Sequence, residues 1–265
     1  MKITFLGTSH GISEPDRFTS AILFEIGDKF YLMDAGAPVL KLMRSLGVDM
    51  NRLGGIFITH SHPDHYLGLV ELINQVECFN QFSGVKIKIH APERFPFYEM
   101  REFLFGKASR EVTDFSVHRG GDRKSDGGEG NRVECDIYKP GVIFDDGSVR
   151  VSAFATKHFY DSHSFLIEAE GKRVLYTGDI RTDLSDIPPL VFDTHTDLVI
   201  TEAAHPLLND MEITSAFRRF DTDRVIITHI CPFRNTPDMI NGLSAAVADL
   251  YPLRAANDMD VIELA

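Results

Sequence analysis

The apolar residues of this chain come in short runs bounded by glycine-bearing turns. Residues 3–7, Ser20–Ile26 and Lys29–Gly36 are rich in β-branched and aromatic side chains, and the pattern predicts three strands. Gly27-Asp28 supplies a hairpin turn between the second and third. Ile56-Phe57-Ile58, punctuated before by Gly54-Gly55, reads as a short buried strand. Val85–Ile89 alternates as a strand, and Val142-Ile143-Phe144 with Val149–Phe154 forms a hairpin around Asp145-Asp146-Gly147. Ser164–Glu168 and Lys172–Tyr176 flank Glu170-Gly171 as a further hairpin. Leu198-Val199-Ile200 and Arg224–Ile230 complete the strands. Helical spacing covers Pro38–Leu46, closed by Gly47, a stretch from Pro63 to about Phe79, and a tail helix from Pro237 followed by one short strand. A length of 265 residues fits one sizeable domain, residues 1–265, with an aromatic-rich insertion at about 93–140.

Composition narrows the class. A hydrophobic share of 43% is that of an ordinary globular chain, and no apolar run approaches a membrane span. Lys2 opens a strand with no signal-peptide pattern before it. Cys78, Cys135 and Cys231 are scattered and odd in number, so no disulfide framework follows and a reducing cytoplasm is the expected compartment. Twenty-seven basic against 39 acidic residues give a net charge of −12, which disfavours long nucleic acids. A small anionic substrate is compatible with that balance if metal ions make the site locally positive.

The chemistry concentrates at Thr59-His60-Ser61-His62-Pro63-Asp64-His65, where three imidazoles and one carboxylate occupy six residues at a strand end. His60 and His62, two apart on extended backbone, point the same way. Imidazole with carboxylate suits a divalent transition metal, zinc above all. Asp64 and His65 diverge at a helix start, a geometry that suits two ions rather than one.

This stretch resembles the His-x-His-x-Asp-His signature of the metallo-β-lactamase superfamily. Gly7-Thr8-Ser9-His10-Gly11, the two strands after it and Met33-Asp34-Ala35-Gly36 resemble the opening of its ribonuclease Z-like and cyclic-phosphate phosphodiesterase-like branch. Further on, His158, a hairpin and Thr177-Gly178-Asp179 resemble later metal motifs, and His229 at the end of Arg224–Ile230 resembles the final one. The resemblance implies an α/β fold, a four-layer αβ/βα sandwich with a dinuclear site at one edge. It implies that His60, His62 and His158 hold one ion, that Asp64, His65 and His229 hold the other, and that Asp179 bridges them. The ions would be Zn²⁺, with Mn²⁺ or Fe as other occupants, and would share an activated hydroxide for hydrolysis. Asp34 would orient a metal-binding histidine. His163 competes with His158, but the spacing to Asp179 favours His158.

Ribonuclease Z carries a tRNA-gripping arm between the residues that match His158 and Asp179, whereas only a tight hairpin fills that interval here. A small anionic phosphodiester or cyclic phosphate is therefore the expected substrate. Asp64 and His205 are the catalytic candidates. His205, after Glu202-Ala203-Ala204, resembles in placement the histidine that protonates the leaving group, and a plain polar loop residue is the competing reading. A lactonase or thioesterase is the alternative enzyme. A diiron redox module is more distant, because such relatives usually carry Glu where this chain has His62, and a non-catalytic metal protein is more distant still. His10 reads either as a border of the metal site or as solvated surface, and His90 as a packed histidine. The aromatic residues from Phe95 to Phe105 read as core, with a lid or a homodimer contact as other uses. Residues 119–131 have the composition of a mobile loop.

Overall fold

The computed structural model describes residues 1–79, 82, 84–106 and 132–265. Its strands form two seven-stranded sheets. The first contains β1 (Lys2–Gly7), β2 (Ala21–Ile26), β3 (Lys29–Met33), β4 (Leu53–Phe57), β5 (Ile87–Ala91), β6 (Val133–Ile137) and β14 (Val261–Glu263). Its order is β14-β1-β2-β3-β4-β5-β6, antiparallel through β3 and parallel from there on. The second contains β7 (Gly141–Asp145), β8 (Val149–Ala155), β9 (His163–Ala169), β10 (Lys172–Tyr176), β11 (Leu198–Ala203), β12 (Val225–Ile230) and β13 (Leu253–Ala255). Its order is β13-β12-β11-β10-β9-β8-β7, again antiparallel in the hairpins and parallel from β10 to β13.

Three buried clusters make this a four-layer sandwich. Between the sheets, Phe5, Phe24, Tyr31 and Phe57 of the first pack with Val151, Phe165, Tyr176 and Ile200 of the second. Outside the first sheet, α1 (Val39–Ser45), α2 (Gly68–Cys78) and α3 (Phe97–Phe105) bury Leu40, Met43, Leu72, Ile73 and Met100. Outside the second, α4 (Leu190–Asp193), α5 (Met211–Phe217) and α6 (Pro237–Val247) bury Val191, Phe217 and Leu243. The parallel strands β11 and β12 are buried along their whole length, which is why they read as continuous apolar runs rather than alternating ones. Glu170 and Gly171 both have positive φ, the conformation a two-residue hairpin turn needs.

Several elements differ from the sequence reading. Pro63–His65 is a single 3₁₀ turn, and the α-helix begins only at Gly68. The break has a local cause: the NH of Gly68 donates to the Ala35 carbonyl and the NH of Ala35 to the His65 carbonyl, so the turn is tied to the chain after β3. The tail supplies two short strands rather than one, and each joins a different sheet. β6 pairs with β5 in parallel, so the far end of the segment read as an insertion belongs to the first sheet. Phe95, Phe97 and Phe105 are buried in the core, while Tyr98 and Phe103 are exposed. The loop 119–131 lies outside the described residues. No helix among the described residues is long and apolar enough to cross a membrane.

Candidate metal centre

The ends of β4, β8, β10, β11 and β12 and the loops after them meet at one rim of the sandwich. β4 delivers His60, His62, Asp64 and His65 from the first sheet. The second sheet delivers His158 after β8, Asp179 after β10, His205 after β11 and His229 within β12. His229 has φ 50° and sits where the β11–β12 register shifts between Glu202 and Ala203. This local kink re-aims the side chain, as β-bulges beside functional sites do.

Two donor groups result. His60, His62, His158 and Asp179 each offer an atom within 4.8 Å of the others, and Asp64, His65 and His229 form a second group. In the first, His60 Nε2 lies 3.0 Å from His62 Nδ1, and His158 Nε2 lies 3.2 Å from the same atom. Asp179 Oδ2 is 3.6 Å from His60 Nε2 and 3.5 Å from His158 Nε2. A tetrahedral zinc with ligands at about 2.0–2.1 Å needs donors about 3.3 Å apart. In the second group, His65 Nε2 is 3.3 Å from Asp64 Oδ2 and 3.4 Å from Asp179 Oδ1. His229 Nε2 is 3.8 Å from Asp64 Oδ2 and 3.3 Å from Asp179 Oδ2. One oxygen of Asp179 thus faces His65 while the other faces His60, His158 and His229.

The donor set fits cations. His65 Nε2 and Asp179 Oδ1 are buried without a hydrogen-bond partner, a costly arrangement for polar atoms that hold nothing. Burial and the neighbouring His65 push His60 well below its usual pKa, and burial pulls His158 down to about 4. Neutral imidazole is the form that ligates; burial opposes the charged form of His65 and His229 as well, but Asp179 above all raises both, so those two rings would give up a proton to a cation. Burial alone would raise Asp179, but the imidazoles of His229, His65 and His60 outweigh it and hold the carboxylate ionised.

Outer contacts fix the rings. Asp34 is fully buried at φ 55°, with Oδ2 2.8 Å from His65 Nδ1. It also accepts from the Thr59 NH at 2.8 Å and the Tyr176 hydroxyl at 2.7 Å. Ser20 Oγ lies 2.7 Å from His229 Nδ1, and Thr59 Oγ1 lies 3.1 Å from His60 Nδ1. Each contact occupies the nitrogen facing away from the centre and turns Nε2 inward. The sequence reading anticipated Asp34 but not Ser20, whose hydroxyl carries no local pattern that points to a residue 209 positions away.

His205 stands at the mouth, its ring 4.3 Å from that of His158, with its side chain 31% exposed. Its Nδ1 lies 2.8 and 2.9 Å from the two oxygens of Glu202, a buried carboxylate. Burial opposes the charged imidazole, but the hydrogen bond and charge of Glu202, with Asp179, raise His205 above its usual value. Glu202, His205 and Asp179 also lie close enough to suggest a third ion. Glu202 does not suit that use, because it already accepts from the backbone NH groups of Ile180, Ala204 and His205 as well as from the ring.

The other histidines fall elsewhere. His163 is buried, and its Nδ1 lies 3.4 Å from the Tyr138 hydroxyl, outside both donor groups. His10 is buried and pairs with Glu14 at 3.0 Å, so it is not solvated surface. Gly11 beside it is nonetheless near the site, since a Cβ there would come within 3.9 Å of the Asp64 carboxylate. His90 is packed, stacked on Phe57 at 4.8 Å. Cys78, Cys135 and Cys231 form no disulfide among the described residues.

A family model described as "Anti-Pycsar protein Apyc1" matches residues 1–115. Ribonuclease Z of Crocosphaera subtropica is 27% identical over 175 residues, covering 65% of this chain and 49% of that protein. The chain thus spans about half the length of the curated relatives it matches. Among solved structures, the metallo-β-lactamase fold protein YhfI from Bacillus subtilis superposes with a TM-score of 0.73 at 19% identity, over 98% of each chain. A diphosphatase of the PhnP family superposes with a TM-score of 0.68 at 16% identity, over 99% of this chain and 97% of the other.

Proposed function

We propose that this chain, which has the metallo-β-lactamase fold and stands on the ribonuclease Z-like side of that superfamily, is a dinuclear metal-dependent phosphodiesterase acting on a small anionic phosphodiester or cyclic phosphate. The observation that carries the reading is the Asp179 carboxylate, which lies between the two donor groups, one oxygen toward His65 and the other toward His60, His158 and His229. His60, His62 and His158 would hold one divalent cation, zinc by donor type, and Asp64, His65 and His229 the other, with Asp179 between them. Bound there, the cations would supply Lewis acidity toward a phosphoryl oxygen and water acidic enough to act as a nucleophile near neutral pH.

The chain's own residues supply the rest. Asp34 and Ser20 hold His65 and His229 in orientation before substrate arrives, so no reorganisation is needed at the reacting step. Glu202 takes the Nδ1 proton of His205 as a hydrogen bond, which keeps that proton on the inner nitrogen and stabilises a charged ring. A charged His205 then has its Nε2 proton free to pass to the oxygen of the departing group.

A small ester is favoured over a tRNA by two features. The interval from His158 to Asp179 holds only a loop and the β9–β10 hairpin, and the net charge of −12 gives no broad basic footprint. The ribonuclease Z name of the sequence relatives supports the second reading, a nuclease. A panel of bis(p-nitrophenyl) phosphate, cyclic phosphates, lactones, thioesters and a 3′-extended tRNA discriminates. Faster turnover of the tRNA or of a lactone overturns the first reading. His60→Ala with His62→Ala is expected to abolish bis(p-nitrophenyl) phosphate hydrolysis and lower bound metal; unchanged turnover would remove these residues from the site.

A further inference from the structure

The loop after β12 reaches across to the loop that carries His205 through the side chain of Asn235. Asn235 is fully buried. Its Nδ2 donates to the carbonyls of Ala203 at 2.8 Å and Pro206 at 2.7 Å, and its Oδ1 accepts from the NH of Leu208 at 2.9 Å. These contacts bracket residue 205 on both sides. They also fix which end of the amide is which, since the two carbonyls require a donor and the NH requires an acceptor. The backbone NH of Asn235 donates to Cys231 at 2.8 Å, so the amide is anchored to the turn that leaves the strand bearing His229.

We propose that Asn235 is a positioning residue for proton donation: it sets where His205 stands relative to His229, and so where the leaving oxygen meets its proton. The proposal rests on the phosphodiesterase reading and on His205 as the donor. Glu202 holds the ring and the NH of residue 205 and accepts from the NH of Ile180, which ties the chain before His205 to the loop that carries Asp179. Asn235 ties the chain on both sides of His205, at Ala203 and at Pro206 and Leu208, to the loop that follows the strand bearing His229. Loss of its three hydrogen bonds lets the loop shift, and a displacement of about 1 Å at a catalytic group costs up to about a hundredfold.

The test uses leaving groups that differ in their need for a proton. p-Nitrophenolate departs readily as an anion, whereas phenolate, a stronger base, gains more from protonation. Methyl p-nitrophenyl phosphate and methyl phenyl phosphate are compared on metal-loaded wild type, Asn235→Ala, Asn235→Asp and His205→Ala. Asn235→Asp keeps the shape but sets an oxygen against two carbonyls. For both Asn235 variants kcat on the phenyl ester is expected to fall about tenfold or more, and on the p-nitrophenyl ester less than about threefold. KM and bound metal should stay near wild type. On a His205→Ala background the Asn235 substitutions should add nothing.

Equal losses on the two esters, an additive effect on that background, or undiminished activity in a folded variant each overturn the assignment. If Asn235→Ala does not fold, Asn235→Ser carries the same comparison, and failure of every variant to fold assigns Asn235 to structure alone. A His205→Ala enzyme without leaving-group dependence overturns His205 as the donor, and this assignment with it. A wild type that hydrolyses neither ester overturns the phosphodiesterase reading first.

Discussion

The Asp34 carboxylate accepts from His65 Nδ1, from the NH and hydroxyl of Thr59 and from the Tyr176 hydroxyl, all without contact with solvent. A residue in that position is asked for two things at once, a left-handed backbone and an anion. Asparagine tolerates the backbone, at φ 55°, but offers one oxygen instead of two and no charge. Asp34→Asn is therefore expected to fold and to bind zinc about 10- to 100-fold more weakly, as measured by competition with a chromogenic chelator. Unchanged affinity would mean that His65 is held by packing alone. Asp34→Ala should instead lower stability by about 1–3 kcal/mol in urea titrations of the metal-free protein, because it strands buried donors.

Gly36 lies where the chain after β3 passes beneath the metal-bearing turn. A Cβ there would stand 2.5 Å from the Asp64 carbonyl and 2.5 Å from Thr19 Oγ1. Gly36→Ala should cost about 1–3 kcal/mol and, by lifting the Pro63–His65 turn, reduce bound metal; full metal content with an unaltered melting temperature would show that the turn yields. On β5, His90 lies between the rings of Phe57 and Phe144, and its buried Nε2 has no hydrogen-bond partner. Burial takes its pKa down to about 4, whereas in the unfolded chain it titrates near the ordinary value of about 6.5. Between these values the unfolded state binds more protons, so His90 lowers stability as pH falls from about 6.5 to 4, by at most about 3 kcal/mol. His90→Phe should remove that part of the acid sensitivity, and an identical pH profile for the two proteins would count against it. The strands that read clearly from sequence are those whose pattern is local: hairpins with Gly27-Asp28 or Glu170-Gly171, and apolar runs such as Leu198–Ile200. β6 escaped because Val133-Glu134-Cys135-Asp136-Ile137 is a polar edge strand, held by pairing with β5 rather than by a buried face. Likewise the ligand candidates were legible from strand-end motifs, whereas Ser20, Glu202 and Asn235 act through partners whose identity only the folded chain decides.

The donor groups join the two sheets, and this gives metal removal a consequence beyond the site. His60, His62, Asp64 and His65 ride on the first sheet, and His158, Asp179 and His229 on the second, so each proposed ion takes ligands from both. Without cations, the ionised Asp179 and Asp64 and the imidazoles around them remain in a buried space where only mutual pairing offsets desolvation. Cations that bind the folded chain and not the unfolded one stabilise it by about 4 kcal/mol when free metal is about a thousandfold above Kd. For a chain of this size that corresponds to a melting temperature higher by about 8–16 °C. Dialysis against a chelator should therefore lower the melting temperature by about that amount, and Zn²⁺ should restore it. The His60→Ala, His62→Ala protein should respond less to both treatments, because it lacks two of the four donors of one group. Equal melting temperatures for chelated and zinc-loaded wild type would mean that the strand ends are held together by the intersheet core of Phe5, Phe57 and Phe165 without help from the metals.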